Sequence, residues 1–187
     1  MTTVYIIIGI VAIILILMAS TYNGLVRLRN RVKNAWAQID VQLKRRHDLI
    51  PNLVETTKGY MTHERGTFEA VTKARNLAQK AVGTGVGAQS KAEGELSGAL
   101  ARLLVVVENY PDLKANQNFL ALQEELTSTE NKIGFSRQYY NDSVLKYNNK
   151  TQMFPSNMMA GMMGFKASEF FEVTATEERE APKVSFS

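Results

Sequence analysis

From Leu25 onward, apolar residues return every three or four positions: Leu25, Leu28, Val32, Trp36, Ile39 and Leu43, then Ile50, Leu53, Thr57 and Tyr60. The stripe continues through Phe68, Val71, Ala78 and Val82. This is the period of an amphipathic α-helix, with none of the alternation of a strand. "GTGVG" (Gly83 to Gly87) stops it, because glycine is a poor helix former. A second stripe (Leu96, Leu100, Leu103, Val107, Tyr110) runs into Pro111, and a third (Phe119, Leu122, Leu126, Ile133, Tyr140, Val144, Tyr147) ends near Phe154-Pro155. The pattern predicts an all-α protein.

Ahead of the first stripe the chain has no periodicity. Val4 to Ala19 (VYIIIGIVAIILILMA) carries no charge. With Ser20 and Thr21 it makes about 18 residues, or roughly 27 Å of helix, close to the ~30 Å hydrocarbon core of a bilayer. Tyr5 and Tyr22 lie near its ends, where amphipathic rings favour the two interfaces. A cleaved signal peptide would need a positive leading region, which Met-Thr-Thr lacks, although "MAS" resembles a small-residue cleavage site. A retained anchor is the better reading. Arg27, Arg29, Arg31 and Lys33 follow it and no basic side chain precedes it. The positive-inside rule therefore predicts a single-pass protein, N-terminus outside and C-terminal domain in the cytoplasm.

Net charge (+4) excludes little, but no run of five cations and no basic–aromatic pattern points to nucleic acid. Without cysteine there are no disulfides, thiolate metal sites or Cys nucleophiles. The two histidines, His47 and His63, each precede an acid. On one helix, sixteen residues set them about 160° apart, so they cannot share a metal. "HERGT" has Thr67 where a zinc-protease helix needs its second histidine, and each histidine is expected to be solvated or capping. "GTGVG" follows a helix and lacks dinucleotide spacing. Glu124, Glu125 and Glu130 point different ways from a helix. No catalytic residue, cofactor, metal or small-molecule substrate is expected.

Two polar positions interrupt the stripes. Arg46 falls seven after Ile39 and seven before Leu53, where an apolar residue belongs, and Glu130 and Arg137 crowd the seam between Ile133 and Tyr140. An unpaired buried charge costs several kcal/mol, so these either pair, as Arg46–Glu130 or Arg137 with an acid, or snorkel to water. Tyr140-Asn141 and Tyr147-Asn148, seven apart, place both tyrosines on one stripe. Pro51 admits two readings. As a corner, Lys44 to Arg46 close one helix and Asp48 caps the next, with Pro51 in its first turn. As a kink, the helix runs on and the His47 carbonyl loses its partner. The corner is the expectation adopted. "YPDLK" repeats the grammar, with Asp112 or Asn116 able to cap.

"YNGLVRLRNRVKNAWAQIDVQLKRRHDLIPNLVETTKGYMTHE", "ENYPDLKANQNFLALQEELTSTENKIGFSRQYYNDSVLKYNN" and "FPSNMMAGMMGFKASEFFEV" together resemble the LemA family, over roughly residues 20–173 and in the family's order. The resemblance implies a bacterial membrane protein with one N-terminal anchor (1–22) and an up-and-down four-helix bundle (23–154). A Met/Phe-rich segment and tail (155–187) would follow. Breaks are expected near Pro51, Gly83–Gly87 and Pro111. It supplies no activity and points weakly to membrane-bound metalloproteases as partners. The expected role is a membrane scaffold or adaptor acting through self-association or a membrane-protein partner. The alternative is a lipid-organising protein. Phe154, Met158, Met159, Met162, Met163 and Phe165 are candidates for contact with a partner or the membrane, since Met-rich surfaces suit variable contacts.

Overall fold

The computed structural model describes residues 1–172, and every regular element among them is helical. In chain order these are α1 (Thr2–Lys58), α2 (Arg65–Ala81), α3 (Val86–Val107), α4 (Pro111–Lys114), α5 (Gln117–Gln152) and α6 (Ser156–Met162). The glycine break separates α2 from α3: Gly83 and Gly85 have φ of 79° and 124°, a region that L side chains rarely enter. Pro111 opens α4 at a position where its missing N–H costs nothing. Of the two capping candidates, Asn116 caps α5, its Oδ1 accepting the Phe119 N–H at 3.0 Å.

The corner at Pro51 is not there. α1 runs unbroken from Thr2 to Lys58 with Pro51 inside it. Asp48 is therefore mid-helix and caps nothing, and Lys44 to Arg46 do not close a helix. The physical reason lies in α2. The carbonyl that proline deprives of its partner, that of His47, accepts a hydrogen bond from Arg75 Nε at 3.2 Å. Helix α1 ends instead at Gly59. There the Thr57 carbonyl accepts both the Tyr60 and Met61 N–H groups at 3.0 Å, and the Thr57 hydroxyl donates to the Leu53 carbonyl at 2.9 Å. The apolar stripe gives no sign of this turn, because Tyr60 and Phe68 keep its phase.

The chain divides into two compact units. Unit 1 comprises Met1–Asp40 and Phe135–Phe170, so it takes the first part of α1, the second part of α5, and α6. Residues Val4 to Leu17 are all exposed. Beyond them the core begins, with Leu25, Val32, Ala35 and Ile39 from α1 buried alongside Tyr140, Val144 and Tyr147 from α5. Trp36 meets Tyr140 edge-on at 5.3 Å, and Tyr22 meets Phe165 edge-on at 5.9 Å. Polar groups here are neutral and tied to backbone. The Tyr140 hydroxyl donates to the Glu169 carbonyl at 2.9 Å. Asn148 both donates to the Ser168 carbonyl (2.9 Å) and accepts its N–H (2.8 Å), which fastens the segment after α6 to α5.

Unit 2 comprises Val41–Gly134 and the described residues from Phe171. Its core draws on every long helix: Ile50, Leu53 and Val54 from α1, Phe68, Val71, Ala74 and Ala78 from α2, Leu96, Leu103 and Val107 from α3, and Phe119 from α5. Leu113 of α4 and Met61 of the α1–α2 turn complete it. Full burial of such side chains contributes about 1.5–3 kcal/mol each.

Candidate functional site

Within unit 2, α1 and α3 bring ionisable side chains together in the interior. Arg46 and His47 follow Leu43 by three and four residues and precede Ile50 by the same spacing, so both lie on the inward face of α1. Their exposures are 2% and 3%. Opposite them is Glu93 of α3, also 3% exposed. Glu93 keeps the phase of the second stripe (93, 96, 100, 103, 107), which is why the fold turns it inward.

The Arg46 guanidinium forms the hub. Nη2 donates to the Glu93 carboxylate. Nη1 donates to Ser97 Oγ at 2.9 Å and to Glu130 Oε2 at 2.7 Å. Glu130 is the outer member, with its side chain 54% exposed. His47 Nε2 lies 2.9 Å from Glu93 Oε1, at ion-pair distance, but neither atom makes an aligned hydrogen bond among the described residues. Gln42 Oε1 and Arg46 Nε are also buried without hydrogen-bond partners there. Burial pushes the Glu93 carboxyl up. The His47 imidazole 2.9 Å away and the Arg46 cation outweigh that, and hold it below its ordinary 4.5.

Burial corrects the expectation for one histidine. His47 is neither solvated nor a cap, because Glu93 supplies an acid on the facing helix. His63 is exposed, in the turn between α1 and α2. No group of three or more His, Cys, Asp or Glu among the described residues is placed to hold a metal. Arg137 is half-buried and enters no ion pair among the described residues.

A cavity of about 300 Å³ adjoins the cluster. Leu53, Leu100, Ala101, Leu104 and Leu126 give it aliphatic walls, and Arg46, Ser97 and Glu130 are in its polar lining. Ser97 Oγ accepts from a guanidinium, which is no base to take its proton. A wider groove of about 850 Å³ follows α2, where Lys58, Arg65, Lys73 and Lys80 are interleaved with Phe68, Leu77 and one acid, Glu69.

In unit 1, Tyr5, Tyr22, Arg27, Arg29, Arg31 and Lys33 are all exposed. Arg29 lies 4.9 Å from the centroid of the Phe165 ring. The Met/Phe-rich segment divides into two faces. Met159 and Phe165 are buried, whereas Phe154, Met158, Met162 and Met163 are exposed.

The three motif blocks now have structural places, and the family model described as the LemA family matches residues 35–186. The chain belongs to the LemA family. It is 26% identical over 175 residues to the magnetosome protein MamQ 2 of Paramagnetospirillum magneticum (strain ATCC 700264 / AMB-1), a match covering 81% of this chain and 64% of the relative. The magnetosome protein MamQ of Magnetospirillum gryphiswaldense is 25% identical over 174 residues, covering 80% and 64%. Protein LemA of Metamycoplasma hominis is 24% identical over 155 residues, covering 83% and 70%. The chain thus spans just under two thirds of the length of its MamQ relatives. Ahead of the matched residues, the N-terminal helix of this chain is long and apolar enough to cross a membrane.

Proposed function

We propose that this LemA-family chain is a membrane-anchored helical scaffold that acts by protein–protein association and not by catalysis. One observation carries the reading. The same helix that begins with the uncovered apolar run Val4 to Leu17 continues without a break to become the first helix of both packed units. In water that run would expose far more contiguous apolar surface than a soluble protein tolerates, and a bilayer is the solvent that suits it. The cations just beyond it orient the packed units toward the cytoplasm by the positive-inside rule.

The partner is another membrane protein or a second copy of the chain. A membrane-bound metalloprotease is one candidate, on the family resemblance alone. The α2 groove, with cations set among apolar side chains, fits an acidic amphipathic segment. A photo-crosslinking residue at Leu77, 43% exposed in that groove, tests the reading in native membranes. The expected result is one or a few discrete crosslinked species, identified by mass spectrometry. Release of the full chain from membranes by carbonate, or no crosslink above that from an exposed site such as Glu55, would count against it.

A further inference from the structure

Unit 1 carries an exposed apolar surface that its own packing leaves uncovered. Phe154 is 79% exposed, Met158 63% and Met162 74%. Met158 and Met162 are four apart on α6 and therefore share a face, while Met159 and Ala160 are buried on the other.

Three contacts within unit 1 locate that face. Trp36 meets Tyr140, and Phe165 touches both Tyr22 and Arg29. Positions later in the chain therefore lie beside earlier positions of α1. The end of α5, Phe154 and α6 accordingly come to the Tyr22 end of the α1 segment, where the uncovered apolar run meets the packed core. Charge points the same way. Residues 21–39 and 143–168 contain arginines and lysines but no aspartate or glutamate. An apolar face whose flanking sequence carries cations and no acid, next to the end of a membrane-length helix, is complementary to an anionic lipid surface.

We propose that Phe154 and the Met158–Met162 face of α6 enter the headgroup–acyl boundary of an anionic leaflet, as a second membrane contact beside the α1 span. The inference rests on the anchoring read above and deepens it: the chain touches the bilayer at two places more than 130 residues apart in sequence. Phe165 is the strut between them, held on Tyr22 and Arg29 while the methionines face outward.

The chain has no cysteine, so a single introduced one carries a nitroxide without competition. Met158→Cys and Met162→Cys change exposed side chains and leave the core intact. The full chain is reconstituted in phosphatidylcholine vesicles with and without phosphatidylglycerol. Labels at Leu17 in the apolar run and at exposed Asp142 on α5 serve as references. With phosphatidylglycerol, the labels at 158 and 162 should collide with a water-soluble nickel chelate several-fold less often than the label at 142, and more often with oxygen. Nickel accessibility equal to that at 142 in both lipids overturns the contact while leaving the anchor standing. Labels that broaden as the protein-to-lipid ratio rises assign the face to a second copy of the chain and also overturn it. Equal protection in pure phosphatidylcholine overturns the role of the cations. A water-accessible label at 17 overturns the anchoring, and this contact with it.

Discussion

The two units solve the same problem, keeping polar side chains inside a helical core, by opposite chemistry. Unit 1 uses neutral groups whose partners are backbone carbonyls and amides, as at Tyr140, Asn148 and Ser156. Unit 2 adds to such groups a buried pair of full charges, Arg46 against Glu93, with the His47 imidazole beside them. A neutral group tied to backbone costs little to bury. A buried ion pair holds only while both partners stay ionised, and removing one strands the other. The two regions should therefore fail under different insults.

The largest difference should appear on deleting Glu93. Glu93→Ala leaves Arg46 and His47 buried without their shared acid, and should cost about 3–5 kcal/mol in urea unfolding of the full chain in nanodiscs. A combined Arg46→Met, Glu93→Leu change should recover much of that loss, because an apolar pair of similar volume avoids desolvation altogether. If both variants are equally unstable, the cluster contributes more than charge balance.

Acid and alkali should separate the units next. Glu93 titrates below 4.5 in the folded chain, so its contribution is present above that unfolded value and disappears as pH falls through the lowered one. Burial, helped by Glu169, pushes the Tyr140 hydroxyl up to about 12, so unit 1 loses stability as pH rises from about 10 to about 12. Amide exchange, corrected for intrinsic rates, should show α3 opening first in acid and the Tyr140 region of α5 opening first in alkali. The reverse order would undo the comparison.

Smaller effects refine it. Tyr140→Phe removes one hydrogen bond to a backbone carbonyl and should cost about 0.5–1.5 kcal/mol, while weakening the alkaline transition, to which Tyr147, also pushed up by burial, still contributes. Asn116→Ala uncaps α5 and should cost about 1 kcal/mol. Arg45→Ala breaks an exposed pair with Glu125 and should change stability by less than about 1 kcal/mol.

Much of this fold was legible in the sequence because apolar period and glycine are local signals. The stripes located the helices, Gly83 and Gly85 the break between α2 and α3, and Asn116 a usable cap. Arg46 and Glu130 drew attention by interrupting a seam, and the structure sets them 2.7 Å apart. Glu93 keeps the phase of its stripe three residues before Leu96, but a carboxylate carries no apolar signal, so the pattern does not extend to it. The burial of His47 followed from Glu93 and was hidden with it. The end of α1 at Gly59 was masked because Tyr60 and Phe68 happen to stay in register across a turn. The course of the chain at Pro51 was beyond any local reading, because it depends on a side chain in another helix.

That last dependence reaches past this one molecule. Pro51 and Arg75 form a donor-and-debt pair: the ring withholds the N–H from the His47 carbonyl, and the guanidinium supplies one. Restoring an amide at 51 makes the arginine redundant at that carbonyl, whereas losing the arginine alone leaves the proline exposed to its full helical cost. In a double-mutant cycle, Arg75→Ala should be harmful beside Pro51 and nearly silent beside Pro51→Ala. Across the LemA family, positions 51 and 75 should then drift together, with a non-proline at the first freeing the second to vary.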